Sequence, residues 1–522
     1  MYLGRHGLVA MLALLLAVPL FWQEERAVDK TAVPDISRPS GAYQTDIAIT
    51  FDAPSPQAEV LYTLNGRLPM SETATVYSNP IPLTTTTPHA ISLRSRLRWP
   101  DGTLGPTQTH SYFLGLPEAI PLLSLTLDPD DFDMLYTNYT ERGRDWERLV
   151  DAVYHDPHTQ SGFAVPAGLR IHGRISRAEA KKSFRLYFRS EYGQAQLNYP
   201  LFSCSDDAAC PTTFDRLVLH NGGQDAPTLP DVLARVNWTL LRNQLAARLA
   251  QEMDTLTTSN NQPALLFVNG EPWGIYLLRE RIDDIFLQQQ LGLETADMLD
   301  TPERIVGDDQ VDLGDRQHWD NLLAYVETHD LSDPAAYHYV ATQINIENFI
   351  DYNLFQIFVA NDDWPMHNVR QFRSRGPGGR WHWIIWDIDR GFAFTPPSSI
   401  DKNMFLRAEE IEHELTSNKH TLLYRRLLEN DQFRVQLLER LAELLDSTFS
   451  PANLTSHLDD LVAEIEPVID YEFGRWQPDR TAWASNVADL YAFAEQRAAI
   501  VREQAIMHFG QGAEETAVLQ AR

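Results

Sequence analysis

The stretch Asp351–Phe394, DYNLFQIFVANDDWPMHNVRQFRSRGPGGRWHWIIWDIDRGFAF, constrains this chain more than any other. An apolar helical run ends in Asn361-Asp362-Asp363, and Asn368 follows Asp363 by five positions. A Gly-rich hairpin, Arg375-Gly376-Pro377-Gly378-Gly379, then leads into a near-continuous apolar strand, Trp381–Trp386, that runs directly into Asp387-Ile388-Asp389. Two acidic clusters therefore stand at the ends of two adjacent buried elements. Ionised carboxylates there are costly unless they bind something, and the rest of the chain reads as support for this pair.

The spacing has a chemical meaning. In phosphoryl transfer of the kinase type, a loop Asp accepts the proton of the substrate hydroxyl and an Asn five positions later binds a metal. That gap lets one loop present a base and a metal ligand to the same phosphate. Asp387 and Asp389, at the end of the next buried strand, stand where such a site carries its metal-binding acid. Magnesium takes one or two carboxylates plus phosphate oxygens rather than a full protein cage. Asp362 adds charge beside the base, which raises the base's pKa or supplies a further ligand. The same residues also allow a purely structural reading. In it Asp363 caps a turn, Asn368 satisfies backbone, and Asp387 and Asp389 pair with Arg373 or Arg390.

A basic partner is expected upstream, and Lys181-Lys182-Ser183-Phe184-Arg185 is the candidate, with a solvated basic turn as the alternative. His172-Gly173-Arg174-Ile175-Ser176 is placed to cover phosphates, although it is not Gly-rich. Glu280 serves as a hinge residue on the adenine side, as an ion-pair partner or simply as an edge-strand charge.

The formal net charge of -29 over 522 residues disfavours nucleic acid and anionic membrane surfaces as partners of the whole protein, while leaving room for a local basic pocket. Arg5 and His6 precede an apolar stretch, Leu8–Trp22, that is short against the roughly 20 residues of a membrane span. Residues 1–26 are thus read as a signal peptide or uncleaved signal anchor, and the chain as exported, to the cell surface or beyond the cytoplasm, with retention by the anchor as the variant. The only cysteines, Cys204 and Cys210, suit a small-loop disulfide in an exported chain; in a cytoplasmic one they would be free thiols. Without nearby His they make a poor zinc site.

Taken in order, residues 27–39 read as a linker, and from Ser40 short alternating strands with an Asn65-Gly66 turn indicate a small all-β sandwich over 40–116. Residues 117–510 form a second, α+β domain. Its first part is strand-rich, with Phe184, Leu186 and Phe188 on one face of a strand and Ser183, Arg185 and Tyr187 on the other. A long amphipathic helix over Asp231–Met253 follows, then a hairpin, Ala264–Val268 with Trp273–Glu280. From Arg281 to Tyr352 the chain is expected to be largely helical, and again through Glu409–Glu429, Gln432–Ser447, Pro451–Trp476 and Ala482–His508, before a flexible tail over 511–522. This order predicts two lobes with a cleft between them, where ligands favour binding.

Two resemblances sharpen these expectations. Tyr62-Thr63-Leu64-Asn65-Gly66-Arg67-Leu68-Pro69, Val76-Tyr77-Ser78-Asn79-Pro80-Ile81 and SLRSRLRWPDG resemble the chitobiase/hexosaminidase C-terminal-type sandwich, with Asn65 in place of the usual Asp. Such a module is accessory, and it implies contact with a cell surface or carbohydrate rather than hydrolysis. The stretches HGRISRAEAKKSFRLYF, LLRNQLAARLAQEM, FVNGEPWGIYLLRERID, FVANDDWPMHNVRQF and WIIWDIDRGF, in this order, resemble the CotH kinase family, the spore coat protein H group of atypical protein kinases. The resemblance implies a divergent two-lobed kinase fold with a largely helical C-terminal lobe. It implies ATP and Mg2+ (or Mn2+) as cofactors, and Ser/Thr of a surface or coat protein as phosphate acceptor. By its motifs Asp363 is the base, Asn368 the closing Asn, and Asp387 and Asp389 the metal site, with neither of the two preferred. Lys182 and then Lys181 contact the nucleotide, joined by Arg174 and Glu280. A catalytically inactive coat-assembly protein and another nucleotide-dependent transferase, such as an adenylylating one, are the competing readings.

Overall fold

The structure, a computed structural model, describes residues 30–204, 210–227, 237–301, 310–392, 394, 400–411 and 418–510. The expected leader, the first three residues of the linker and the tail after Gly510 lie outside these residues.

The N-terminal region is all-β. Its main sheet has the strand order Gly41–Tyr43, Gln108–Leu114, His89–Arg98, Glu59–Thr63, Thr75–Val76. Strand period decides what each face meets. In His89–Arg98, Leu93 and Leu97 enter the sandwich core beside Ile49, Tyr112 and Leu114. Ser92 and Arg94, one residue out of phase, turn to the next sheet: Ser92 Oγ accepts from Thr126 Oγ1 at 2.8 Å, and Arg94 donates to Thr126 O at 3.1 Å.

That next sheet closes on itself. The strands β1 (Leu122–Thr126), β2 (Arg148–Asp156), β3 (Ser161–Ile171), β4 (Phe184–Tyr187), β5 (Arg216–His220), β6 (Asn261–Val268) and β7 (Glu271–Arg279) form a barrel in the order β1-β2-β3-β4-β5-β7-β6. Neighbours are antiparallel except β6 and β1, whose parallel pairing, Leu122 opposite Leu265, completes the ring. Alternate side chains fill it, among them Leu125, Val150, Leu169, Phe184, Leu186, Leu219, Leu266 and Leu278, as a small barrel requires. The expected hairpin, Ala264–Val268 with Trp273–Glu280, is therefore part of the barrel wall.

A second sheet faces the barrel. It is built from β8 (Ala296–Thr301), β9 (Gln310–Leu313), β10 (Val369–Ser374), β11 (Trp381–Ile385) and the short strand Thr257–Thr258, which lies parallel to β11. The hairpin β8–β9 interrupts the largely helical stretch expected from Arg281 to Tyr352; its Met298 and Leu299 are buried strand residues. Helix α1 spans Arg242–Gln251, shorter than the Asp231–Met253 expected, whose first residues lie outside the described ones. Helix α2 (Ile346–Val359) starts at an Asn345 cap and is buried at every position from Asn348 onward, the signature of a helix packed on all sides. Its buried acid, Asp351, is neutralised by Arg440 at 2.7 Å. Around α2 lies the largest core, closed by the C-terminal helices, including α3 (Ile469–Trp476) and α4 (Arg480–Phe509). Glu409, Glu410 and Ile411 are not helical, so the helix expected over Glu409–Glu429 lacks its first three residues; within that range helix is described over Asn418–Leu427. Thus a strand-rich unit and a largely helical one face each other, with α2 and β11 delivering both acidic clusters to the junction.

Candidate active-site cleft

Between barrel and second sheet lies a cavity of about 520 Å³, within the range of small-molecule sites. The barrel wall follows from register. Arg185 on β4 pairs with Val218 on β5, and Val218 pairs with Arg279 on β7. Their sequence neighbours Leu186, Leu217, Leu219 and Leu278 fill the barrel, so this row faces outward into the cleft. His220 and Leu277 pair one step along and line it too. The opposite wall carries Asn243 and Ala246 of α1, Arg370 of β10 and the segment Ile385–Arg390.

The two acidic clusters meet here. Asp363 follows α2 by a tight turn in which His367 N–H returns to Asp363 O at 2.8 Å. Asn368, held at φ +58, donates its amide to Asp363 Oδ2 at 3.1 Å. Its amide oxygen is left for another partner. Arg390 Nε lies 3.3 Å from Asp363 Oδ1. Asp363 does not line the cavity; Asn368 and Arg390, which touch it, do. Asp362 is drawn the other way, into an ion pair with Lys402.

Asp387 and Asp389 both line the cavity but differ in setting. Asp387 takes φ +57 and is half-buried. Burial raises its pKa, against the pull of Arg279 and Arg370. Asp389 is 4 % exposed and accepts from Gln224 N at 2.6 Å. Its pKa is pushed well up, first by burial, then by the Asp387 and Asp363 carboxylates, against the Gln224 N–H and Arg390. Arg373 is not involved; it binds Asp297 at 2.8 Å.

Sequence reasoning missed the loop that holds Asp389. Gly223, at φ +63, passes so close that a Cβ there would sit 2.1 Å from Asp389 Oδ2. A buried pair fixes this loop: Asp225 accepts from Thr239 N at 2.6 Å and Arg242 N at 3.0 Å and binds the Arg242 guanidinium. Arg242 Nε in turn donates to Gly391 O at 3.0 Å, just beyond the Asp387–Asp389 turn. The adjacent glycines of Asn221-Gly222-Gly223-Gln224-Asp225 were the available signal.

The architecture has a counterpart among known families. Residues 169–501, well over half of the chain, match the family described as CotH kinase protein. This chain belongs to the CotH kinase family. Residues 38–95 match the chitobiase/beta-hexosaminidase C-terminal domain. Among curated proteins no match was found.

For this CotH-family protein the structure separates the expected site residues. Asn368, Asp387 and Asp389 line the cavity together with Arg174 and Glu280, and Asp363 stands just behind it, held by Asn368 and Arg390. Arg174 reaches across to Asp300 Oδ2 at 3.2 Å. Glu280 is engaged as a partner, accepting from Asn260 Nδ2 and Gln290 Nε2, both at 2.9 Å.

The two lysines do not join them. Lys181 is fully buried behind β7, donating to Ile275 O and to Glu472 of α3, each at 2.7 Å. Lys182, 2 % exposed, donates to Arg177 O at 2.8 Å and Glu179 O at 2.9 Å and lies over Tyr136 and Tyr139. Burial lowers its pKa to about 8. Both ammonium groups are structural here, in place of the phosphate contact expected of them. Among the described residues the cations that do face the cavity are seven arginines, with Arg185 and Arg279 central on the barrel wall. The signal was present: Arg279 and Leu277 share strand parity, as do Arg185 and Ser183.

The oxygen donors fit a hard divalent cation. Asp387 and Asp389 supply carboxylates that burial disfavours as isolated charges, and Asn368 supplies an amide oxygen. Among the described residues no three His, Cys, Asp or Glu side chains form a metal cage. Such a set suits an ion that completes its shell with phosphate oxygens and water.

Proposed function

We propose that this protein is an exported phosphotransferase that moves the γ-phosphate of ATP to a Ser or Thr hydroxyl of a surface or coat protein. The observation that carries this reading is the convergence of Asn368, which holds Asp363 directly behind it, with Asp387 and Asp389 at one arginine-lined cleft. Magnesium or manganese, when bound, would neutralise charge on the phosphate oxygens; Asp387, Asp389 and the Asn368 amide oxygen would hold it. Asp363, oriented by the Asn368 amide, accepts the proton of the acceptor hydroxyl. The hydroxyl oxygen bonds to the γ-phosphorus, the bond to the β,γ-bridging oxygen breaks, and ADP leaves with that electron pair. The acceptor enters at the Asn368–Arg390 end, because those side chains separate Asp363 from the cavity. Export is supported by the apolar Leu8–Trp22 stretch and by the Cys204–Cys210 disulfide. The sandwich would then meet cell-surface material or carbohydrate.

The test uses purified full-length protein with Mg2+ or Mn2+ and ATP labelled at the α- or γ-phosphate, alone or with a Ser-rich peptide. Label from the γ-position is expected, with loss of at least about a hundredfold in rate for Asp363→Ala and no activity for Asp387→Ala. Transfer that survives Asp363→Ala would remove the base. Incorporation from the α-position alone would make the protein an adenylylating enzyme.

A further inference from the structure

The arginines of the cleft are not equivalent. Arg174, Arg281, Arg370 and Arg390 each have a carboxylate within 4 Å: Asp300 at 3.2 Å, Asp283 at 3.6 Å, Asp312 at 3.1 Å and Asp363 at 3.3 Å respectively. Arg142 is exposed at the rim. Arg279 is only partly exposed, yet among the described residues its guanidinium has no hydrogen bond and no ion pair. The nearest acids that act on it are Asp387 and Asp389 across the cleft, and burial lowers its pKa in spite of them. Arg185 binds only neutral groups, Tyr187 Oη at 3.1 Å and the Nδ1 of His172, and its buried Nε has no partner. A guanidinium presents five donors in a planar fork matched to carboxylate or phosphate. Leaving two such forks without an anion at the wall of a cavity is costly.

Register gives their spacing. With strands about 4.8 Å apart, two strand steps put the Arg185 and Arg279 backbones about 10 Å apart. The residue between them in the row is Val218, with a short side chain. The result is a trough with a fork on each side and an apolar floor. His220 adds to it. Its Nδ1 accepts Gly222 N–H at 3.3 Å, so the ring's proton is carried on Nε2, an uncharged donor at the same wall.

We infer that Arg185 and Arg279, joined by His220 Nε2–H, form the seat for a polyphosphate chain. This inference rests on the phosphotransferase reading for its biological ligand, but the seat is defined by chemistry alone: two guanidinium forks without an anionic partner, one neutral donor and no carboxylate within the row. It assigns to two barrel arginines the contact expected of Lys181 and Lys182.

Isothermal titration of the full chain with inorganic tripolyphosphate, without nucleoside or metal, tests the seat directly. The wild type should bind. Arg279→Ala and Arg185→Ala should each bind about 10- to 100-fold more weakly, the loss for one charge-assisted contact, and Arg279→Lys should recover part of it. Lys182→Met should melt at lower temperature yet bind tripolyphosphate like the wild type. Absence of binding by the wild type, or unchanged affinity in Arg279→Ala with a native circular dichroism spectrum, would overturn the inference. The two readings fail separately. Transfer of γ-phosphate with an unaltered KM for ATP in Arg279→Ala would remove the seat and keep the enzyme. Arginine-dependent tripolyphosphate binding with no transfer would keep the seat and remove the enzyme.

Discussion

Asp389 shows how a single side chain reports on its ligand. Burial and two neighbouring carboxylates raise its pKa well above the ordinary value. Folding therefore favours its protonated form, and the stability so gained is full below the unfolded pKa of about 3.9 and is lost as pH rises through the folded value. The metal-free protein should accordingly melt at a lower temperature at about pH 8 than at about pH 5 as far as this group contributes. Mg2+ or Mn2+ binds the ionised form, so the metal-induced rise in melting temperature should grow over the same interval. Asp389→Asn should raise the metal-free melt at the upper pH and abolish the metal-induced rise. Differential scanning fluorimetry at the two pH values, with and without metal, checks both; an equal metal shift at each would contradict the argument. In the sequence, Asp387 and Asp389 were indistinguishable as ligands. Their environments differ because Gln224, 165 residues away in sequence, donates to Asp389, whereas Arg279 and Arg370 act on Asp387.

At the scale of elements, strand period and helix composition were legible early. Phe184 and Leu186 do fill the barrel while Arg185 faces out, because alternation depends on local geometry alone. Helix α2 was legible from its apolar run. The loop Gly222–Asp225 was not, since its role depends on where β5 ends relative to the Asp387–Asp389 turn. That role predicts a sharp sensitivity. In Gly223→Ala the new methyl would collide with Asp389 Oδ2 at a backbone angle costly for any L side chain. A loss of about 1–3 kcal/mol is expected, measured as a lower urea midpoint together with a weaker metal-induced rise in melting temperature. A variant as stable as the wild type that keeps its metal response would show that the loop does not hold Asp389. Lys181 illustrates the opposite case. A buried ammonium paired with a fully buried Glu472 is a structural tie between barrel and α3, although its sequence context pointed to phosphate.

On the scale of the whole molecule, the sandwich is a built-in neighbour of the barrel. Arg94, 4 % exposed, donates to Gly66 O at 2.8 Å within its own region, and to Thr126 O at 3.1 Å and Asp151 Oδ2 at 3.0 Å on the barrel. Ser111 Oγ adds a 2.9 Å bond to Ser124 Oγ. Arg94→Ala strips three acceptors of one donor group and should destabilise the protein by about 2–3 kcal/mol. Because the contact joins both units, calorimetry of the wild type should show them melting together, and the variant should melt earlier or in two steps. Two separate transitions in the wild type would refute the coupling. The charge of the chain is likewise a whole-molecule property: -29 overall, yet with seven arginines turned into one cavity.

The sequence by itself determined the strand faces, the buried helix, the placement of acids at the ends of two apolar elements and the family motifs they form, because each of these depends on residues near one another in the chain. Only the tertiary structure decided which cations meet those acids. Lys181 and Lys182 stand next to Arg185 in sequence, but one turn buries both ammonium groups behind the barrel wall while register carries Arg185 and Arg279 to its open face. Residue type and spacing specify a charge; closure of the barrel specifies the side on which it appears.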